Sequence, residues 1–179
     1  DLFYNMSTRK NALKNLNEEY QRILDVVSKY SIHYGDKHIA FTCKKQGQSV
    51  ASLNTPTSSS TLDNIGIVYG RALPKELLQL EFEINEDDDD DMNMNAITGT
   101  SIDGNTKSDK FSCKVSALIS NANYSTKRGG CIIFINNRLV DCNAVKRTVE
   151  NIYAELLPKN MRPFLYFSIT MPSHHVDVN

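Results

Sequence analysis

The sequence predicts an α/β sandwich (α+β layers), a mixed sheet with helices packed on it. Three observations predict it. Two segments, 17–34 and 143–157, place apolar residues at helical spacing. Four others, 77–84, 110–119, 131–136 and 164–170, are apolar runs or alternate at the strand period. The two kinds interleave along the chain, which is the order of layered helices and strands rather than of a bundle.

The first helix is expected over 17–34. Asn17 is read as its cap, and Glu18 and Glu19 suit the positive end of the helix dipole. Tyr20, Ile23, Leu24, Val27 and Tyr30 make its apolar face. Two strands follow at 38–44 and 49–53, and Lys45-Gln46-Gly47-Gln48 reads as the hairpin turn between them. The polar loop 58–61 ends where it can cap a helix over 62–73. Leu78, Leu80, Phe82 and Ile84 alternate, so 77–84 reads as a strand with one buried face.

Residues 85–109 are rich in Asp, Asn, Gly, Ser and Thr, and five consecutive aspartates repel one another. The segment reads as a flexible insertion between two strands. A calcium loop needs carboxylates at alternate positions with a Gly and a distal Glu, and that spacing is missing. The strand at 110–119 is expected to pair across the insertion with 77–84. Residues 124–130 read as a basic turn, and the nearly all-apolar 131–136 as a central strand. Over 143–157, Val145, Val149, Ile152, Tyr153 and Leu156 line one helix face, and Pro158 ends the helix. Strands are expected at 164–170 and, through Val176-Asp177-Val178, at 176–179. Both ends enter the pattern abruptly, so the chain reads as a piece of a longer protein.

At 179 residues the chain suits one domain with a large insertion. The longest apolar runs are too short to span a bilayer, so no membrane partner is expected. The four cysteines, Cys43, Cys113, Cys131 and Cys142, form no Cys-x-x-Cys pair. They read as buried, reduced thiols of an intracellular protein. The net charge of −1 hides a division. Residues 85–109 hold eight of the 21 acids and one of the 20 bases, so the remainder carries 13 acids and 19 bases, net +6. That balance is compatible with a polyanionic partner or with a solvated surface.

The chemistry of an enzyme is not visible. There is no Gly-x-Ser-x-Gly elbow, no P-loop and no Gly-x-Gly-x-x-Gly. His33, His38, His174 and His175 lie at turns and read as surface histidines, with no metal site expected. Basic residues at turns and helix starts remain: Arg9, Lys10, Lys14, Lys44, Lys45, Lys127, Arg128, Arg138, Lys146 and Arg147. Arg138 follows Phe134-Ile135-Asn136-Asn137, where a buried strand surfaces. A guanidinium on a rigid strand end is placed to hold a phosphate through two hydrogen bonds. Lys146 and Arg147 oppose the dipole at a helix start, a cost that an anionic partner offsets.

These residues resemble a known family. Asp1-Leu2-Phe3-Tyr4-Asn5 with Thr8-Arg9-Lys10 is similar to the MutL family's junction between its ATPase domain and second domain. The blocks 120–125, 134–140, 157–160, 163–166 and 176–179 closely resemble the eukaryotic MutL homolog 1 branch, and 18–20, 44–47 and 63–65 fit as well. The likeness runs the whole length except 85–109.

The resemblance implies a nuclear DNA mismatch repair protein. In its organisation, 1–16 is the junction from a GHKL-type ATPase domain and 17–179 the transducer domain, with the acidic insertion at 85–109. The implied fold is that of domain two of small-subunit ribosomal protein five and the gyrase B transducer, with a left-handed β-α-β crossover. The intact protein is implied to be an ATPase using ATP and Mg²⁺. This chain lacks the nucleotide motifs and the His-Pro-x-Lys lysine expected after Asn179, so no cofactor and no catalytic residue are expected in it. ATP binding closes two subunits in the family, and its asparagine-x-arginine turn takes part in a basic DNA groove, which maps to Arg138. Lys127, Arg128, Lys146, Arg147, Arg9 and Lys10 are the other expected DNA contacts. A PMS-type MutL homolog and a MutS-type mismatch recognition complex are the implied protein partners. A scaffold that meets an acidic protein and no nucleic acid is the alternative. An RNA-binding or topoisomerase-type relative is a third reading, disfavoured because most aromatics sit on expected buried faces.

Overall fold

The structure, a computed structural model, describes residues 3–12, 15–85, 112–124, 126–127 and 129–176. The acidic segment from 86 to 109, Lys14, Arg128 and residues 177–179 of the strand expected at 176–179 lie outside the described residues, as does the Lys10 side chain. The chain forms two compact units, Asp1–Leu77 and Leu78–Asn179.

The first unit opens with helix α1 (Ser7–Ala12) and helix α2 (Leu16–His33). Asn15, not Asn17, caps α2: its side chain accepts a hydrogen bond from the Glu18 amide at 3.2 Å. Asn17 instead accepts from Lys45 Nζ at 2.6 Å. The buried stripe of α2 is also displaced from the expected face. Ser28, Ser31 and Ile32 are buried, while Ile23 is 55% exposed. Small side chains win there because another backbone must come close. At the end of α2, a Cβ on Gly35 would stand 2.5 Å from the Thr61 amide nitrogen, which begins helix α3 (Thr61–Tyr69). Thr61 Oγ1 donates to Ile32 O at 3.1 Å, and Asn64 Nδ2 to Ser31 O at 2.8 Å, tying the two helices together.

Ser60 caps α3 through a capping box with Asp63. The Ser60 amide and hydroxyl hold the Asp63 carboxyl below its usual pKa. The helix stops at Gly70 (φ +106) rather than running to Leu73, and a 3₁₀ turn, Leu73–Glu76, follows. Strands β1 (Phe41–Cys43) and β2 (Leu53–Thr55) pair antiparallel, with Cys43 opposite Leu53. The expected hairpin is there, but its loop is longer. Residues 49–52 are not strand, and Gly47 (φ +85) provides the turn.

The second unit holds a five-stranded sheet in the order β3-β4-β7-β5-β6. The strands are β3 (Leu77–Asn85), β4 (Ser112–Ser120), β5 (Gly130–Ile135), β6 (Arg138–Val140) and β7 (Phe164–Thr170). β4 and β7 are antiparallel, β7 and β5 parallel, and β5 and β6 antiparallel, so the sheet is mixed as expected. The adjacent parallel pair is joined through β6 and helix α4 (Asn143–Ala154), a β-α-β unit. On the inner strands β5 and β7, consecutive residues are buried, Ile132, Ile133 and Phe134 on one and Phe164, Leu165 and Tyr166 on the other, so both faces are covered, which explains the continuous apolar runs.

Two faces differ from expectation. Leu78, Leu80, Phe82 and Ile84 are each between 42% and 50% exposed. β3 is an edge strand, flanked by a neighbour on one side only. Over the expected helix 143–157, Ile152 and Leu156 are exposed, and Tyr153 and Leu157 carry the burial. α4 ends at Ala154, and a turn places Leu157 inward before Pro158. The Tyr153 hydroxyl donates to Ser120 O, and burial pushes its pKa up against that hydrogen bond. Burial likewise pushes up the Cys113 thiol on β4.

Candidate nucleic-acid interface

Two basic groups stand at opposite ends of the β5 strand. At its C-terminal end, the buried Phe134 is followed by Asn136 (φ +47) and Asn137 (φ +64). Two consecutive left-handed residues make the two-residue turn that matches strand twist, and Asn tolerates that region better than most residues. The turn is pinned from outside. The Asn136 amide donates to Ile169 O at 2.9 Å. Its side-chain Nδ2 donates to Met171 O at 2.9 Å, while Oδ1 accepts from the Met171 amide at 3.0 Å. Arg138, opposite Ile135, therefore leaves a fixed backbone with its side chain exposed.

At the N-terminal end of β5, the loop carrying Lys127 is anchored to the segment before β7. Thr126 bridges Arg162, whose amide donates to Thr126 O at 2.9 Å. Gly129 (φ +53) lies so close that a Cβ would stand 2.7 Å from Arg162 Cβ. Gly129, Gly130, Cys131, Lys146, Glu150 and Arg162 line a cavity of about 110 Å³ with Pro163 and Leu165. Glu150 pairs with Arg162 at 3.8 Å. Lys146 lies half-buried in the first turn of α4, where no acidic residue offsets it, and Arg147 beside it is exposed.

The structure thus gathers the Lys127 loop and Lys146 at one sheet end and leaves Arg138 at the other. The intervening β5 backbone is ~16 Å long. Arg9 belongs to the first unit, where its guanidinium lies 5.6 Å from the Phe3 ring centroid. Arg162 is the basic residue that sequence reading missed. Its partner Thr126 is distant in sequence, and only the pairing of the two loops brings them together. All four cysteines are thiols, buried at Cys43 and Cys113 and half-buried at Cys131 and Cys142. Among the described residues, no group of three His, Cys, Asp or Glu side chains is placed to hold a metal ion. Among them, too, no helix is long and apolar enough to cross a membrane.

Comparison with known proteins gives the surface a context. A family model described as DNA mismatch repair protein, C-terminal domain, matches residues 65–179. The chain is 37% identical over 181 residues to the DNA mismatch repair protein Mlh1 of Dictyostelium discoideum. It is also 37% identical over 180 residues to MLH1 of Saccharomyces cerevisiae, and both likenesses cover 100% of this chain and 20% of the relative. The MutL protein of Halothermothrix orenii is 28% identical over 180 residues, covering 100% of this chain and 23% of that protein. The chain thus spans between 20% and 23% of the length of these curated relatives. In fold, it matches the crystal structure of the N-terminal domain of a DNA repair protein with a TM-score of 0.69 at 19% identity, over 99% of this chain and 50% of that one. The ATPase domain of Aquifex aeolicus MutL, a bacterial mismatch repair endonuclease, matches with a TM-score of 0.57 at 15% identity, over 100% and 53%. The mixed α/β fold is therefore the one found in ATPase-region structures of such proteins. With the family model spanning residues 65–179, the chain belongs to the MutL-type DNA mismatch repair protein family.

Proposed function

We propose that the chain contains the transducer domain of a MutL homolog 1-type protein and contacts DNA phosphates. The pinned Asn136-Asn137 turn carries this reading, because it presents the exposed Arg138 from a rigid strand end. Lys127, Lys146 and Arg147 form a second contact region, joined by Arg162, and Arg128, Arg9 and Lys10 are further proposed DNA contacts. Lys146 and Arg147 gain from an anion because the helix start beneath them is already positive.

The sequence carries no phosphate-cradling glycine loop, so ATP and Mg²⁺ are assigned to the adjacent region of the intact, nuclear protein. This piece performs no chemistry of its own. Its sheet relays the state of the nucleotide to subunit closure and to the basic surface. A PMS-type MutL homolog is the partner subunit, and a MutS-type complex delivers the mismatch.

The test is DNA binding by the intact protein across a salt series. Losing one phosphate contact lowers the slope of log affinity against log salt by about 0.9. Arg138→Glu is expected to lower it by at least that much and to weaken binding several-fold. Unchanged affinity and slope would remove Arg138 from the interface. The exposed stripe of Leu78, Leu80, Phe82 and Ile84 favours a second reading, a protein-interaction scaffold. That reading requires no DNA binding even at low salt.

A further inference from the structure

We propose that Cys131 and Cys142 form a dithiol that hydrogen peroxide converts to an intrachain disulfide. The β5–β6 hairpin places Ile135 opposite Arg138, Phe134 opposite Leu139 and Ile133 opposite Val140. Continuing that register by two residues sets Cys131 opposite Cys142. Paired antiparallel residues have Cα atoms ~4.5–5.5 Å apart, and disulfides span Cα separations of ~4.4–6.8 Å. Cys142 lies past the last paired residue of β6, yet it keeps an extended backbone (φ −115, ψ 92) as the residue preceding α4. Residues set opposite each other across an antiparallel pair carry their side chains on the same face.

Access separates these two cysteines from the others. Cys43 and Cys113 are buried, whereas Cys131 and Cys142 are half-buried thiols. Cys131 lines the cavity of about 110 Å³ at the end of the sheet. Peroxide has two oxygen atoms, and liquid water occupies ~30 Å³ per molecule, so the cavity admits it.

The chemistry balances with peroxide as the oxidant. The Cys131 thiolate attacks one peroxide oxygen and breaks the O–O bond; the leaving hydroxide takes a proton to become water. The Cys142 sulfur then attacks the sulfenic sulfur, and a second water leaves. The two thiols lose two electrons to peroxide, which is reduced to two waters. The new bond staples the start of α4 to β5, beside Lys146 and Arg147.

The experiment treats the intact protein with hydrogen peroxide, alkylates remaining thiols without reduction, and maps tryptic peptides. Cleavage at Arg128, Arg138 and Lys146 puts Cys131 in peptide 129–138 and Cys142 in 139–146. The expected product is one species joining these two peptides, absent before treatment and lost on reduction. Cys142→Ser should abolish it and leave Cys131 as a sulfenic acid that dimedone traps. The wild-type map decides the matter even if that variant fails to fold. Separately alkylated 129–138 and 139–146 after treatment, or a cross-link to Cys43 or Cys113, overturns the proposal.

Discussion

Gly35 shows how one hydrogen atom in place of a methyl group sets a helix crossing. Its missing Cβ would lie 2.5 Å from the Thr61 amide nitrogen and 2.7 Å from Thr61 Cα. Those atoms are backbone, and they open α3 directly after its capping box, so they yield only by moving the whole helix start. The same contact lets Thr61 Oγ1 reach both Ile32 O at 3.1 Å and Asp36 Oδ2 at 2.8 Å. Gly35→Ala is therefore expected to destabilise the first unit by about 1–3 kcal/mol through overpacking. The check is a urea unfolding curve, with the midpoint lowered and the slope unchanged. An unaltered midpoint would mean that α3 can retreat without loss. Ser28 and Ser31 belong to the same logic, since a bulkier face would hold the helices apart. Periodicity alone pointed to Tyr20, Ile23 and Leu24, because it counts apolar side chains and cannot register where closeness is needed.

Among the elements, the β5–β6 hairpin bears most on function. Asn136 makes two side-chain hydrogen bonds to Met171 and holds φ +47. Asn136→Ala removes two bonds of ~1 kcal/mol each and adds a left-handed penalty of ~1–2 kcal/mol, a local loss of about 3–4 kcal/mol. Asn136→Gly restores the backbone freedom but not the bonds, so it should fall between. Hydrogen exchange of the β6 amides reads both; equal protection in all three proteins would show that the turn holds without Met171. Much of this region was legible in the sequence. The apolar run of β5, the bounds of β7 and the exposed address of Arg138 follow from local pattern. β6 was not legible as a strand, because three residues between a turn and a helix are too few to show alternation. The edge position of β3 was equally hidden. Alternation announces a two-faced strand but says nothing about whether a neighbour covers the apolar face. Arg162 was missed for the corresponding reason, since a loop-to-loop bridge leaves no periodic trace.

At the scale of the whole molecule, charge is the quantity that local structure leaves open. Residues 85–109 hold eight of the 21 acids, and the remaining chain is net +6. If the basic residues face DNA as proposed, the aspartates from Asp87 to Asp91 act as an intramolecular competitor for them. Such competition is electrostatic and decays over a Debye length, ~30 Å at 0.01 M salt but ~3 Å at 1 M. Salt weakens phosphate contacts and also releases the competitor, so the two effects partly cancel in the native chain. Replacing all five aspartates by asparagine is thus expected to raise DNA affinity several-fold at low salt. The salt slope should steepen, and the two proteins should converge at high salt. Binding isotherms on one DNA duplex across a salt series measure all three features. Equal affinities at the lowest salt would show that the acidic run is electrostatically remote from the basic surface. A constant gain at every salt concentration would point to a steric effect instead, because charge competition cannot survive a Debye length shorter than the contact itself.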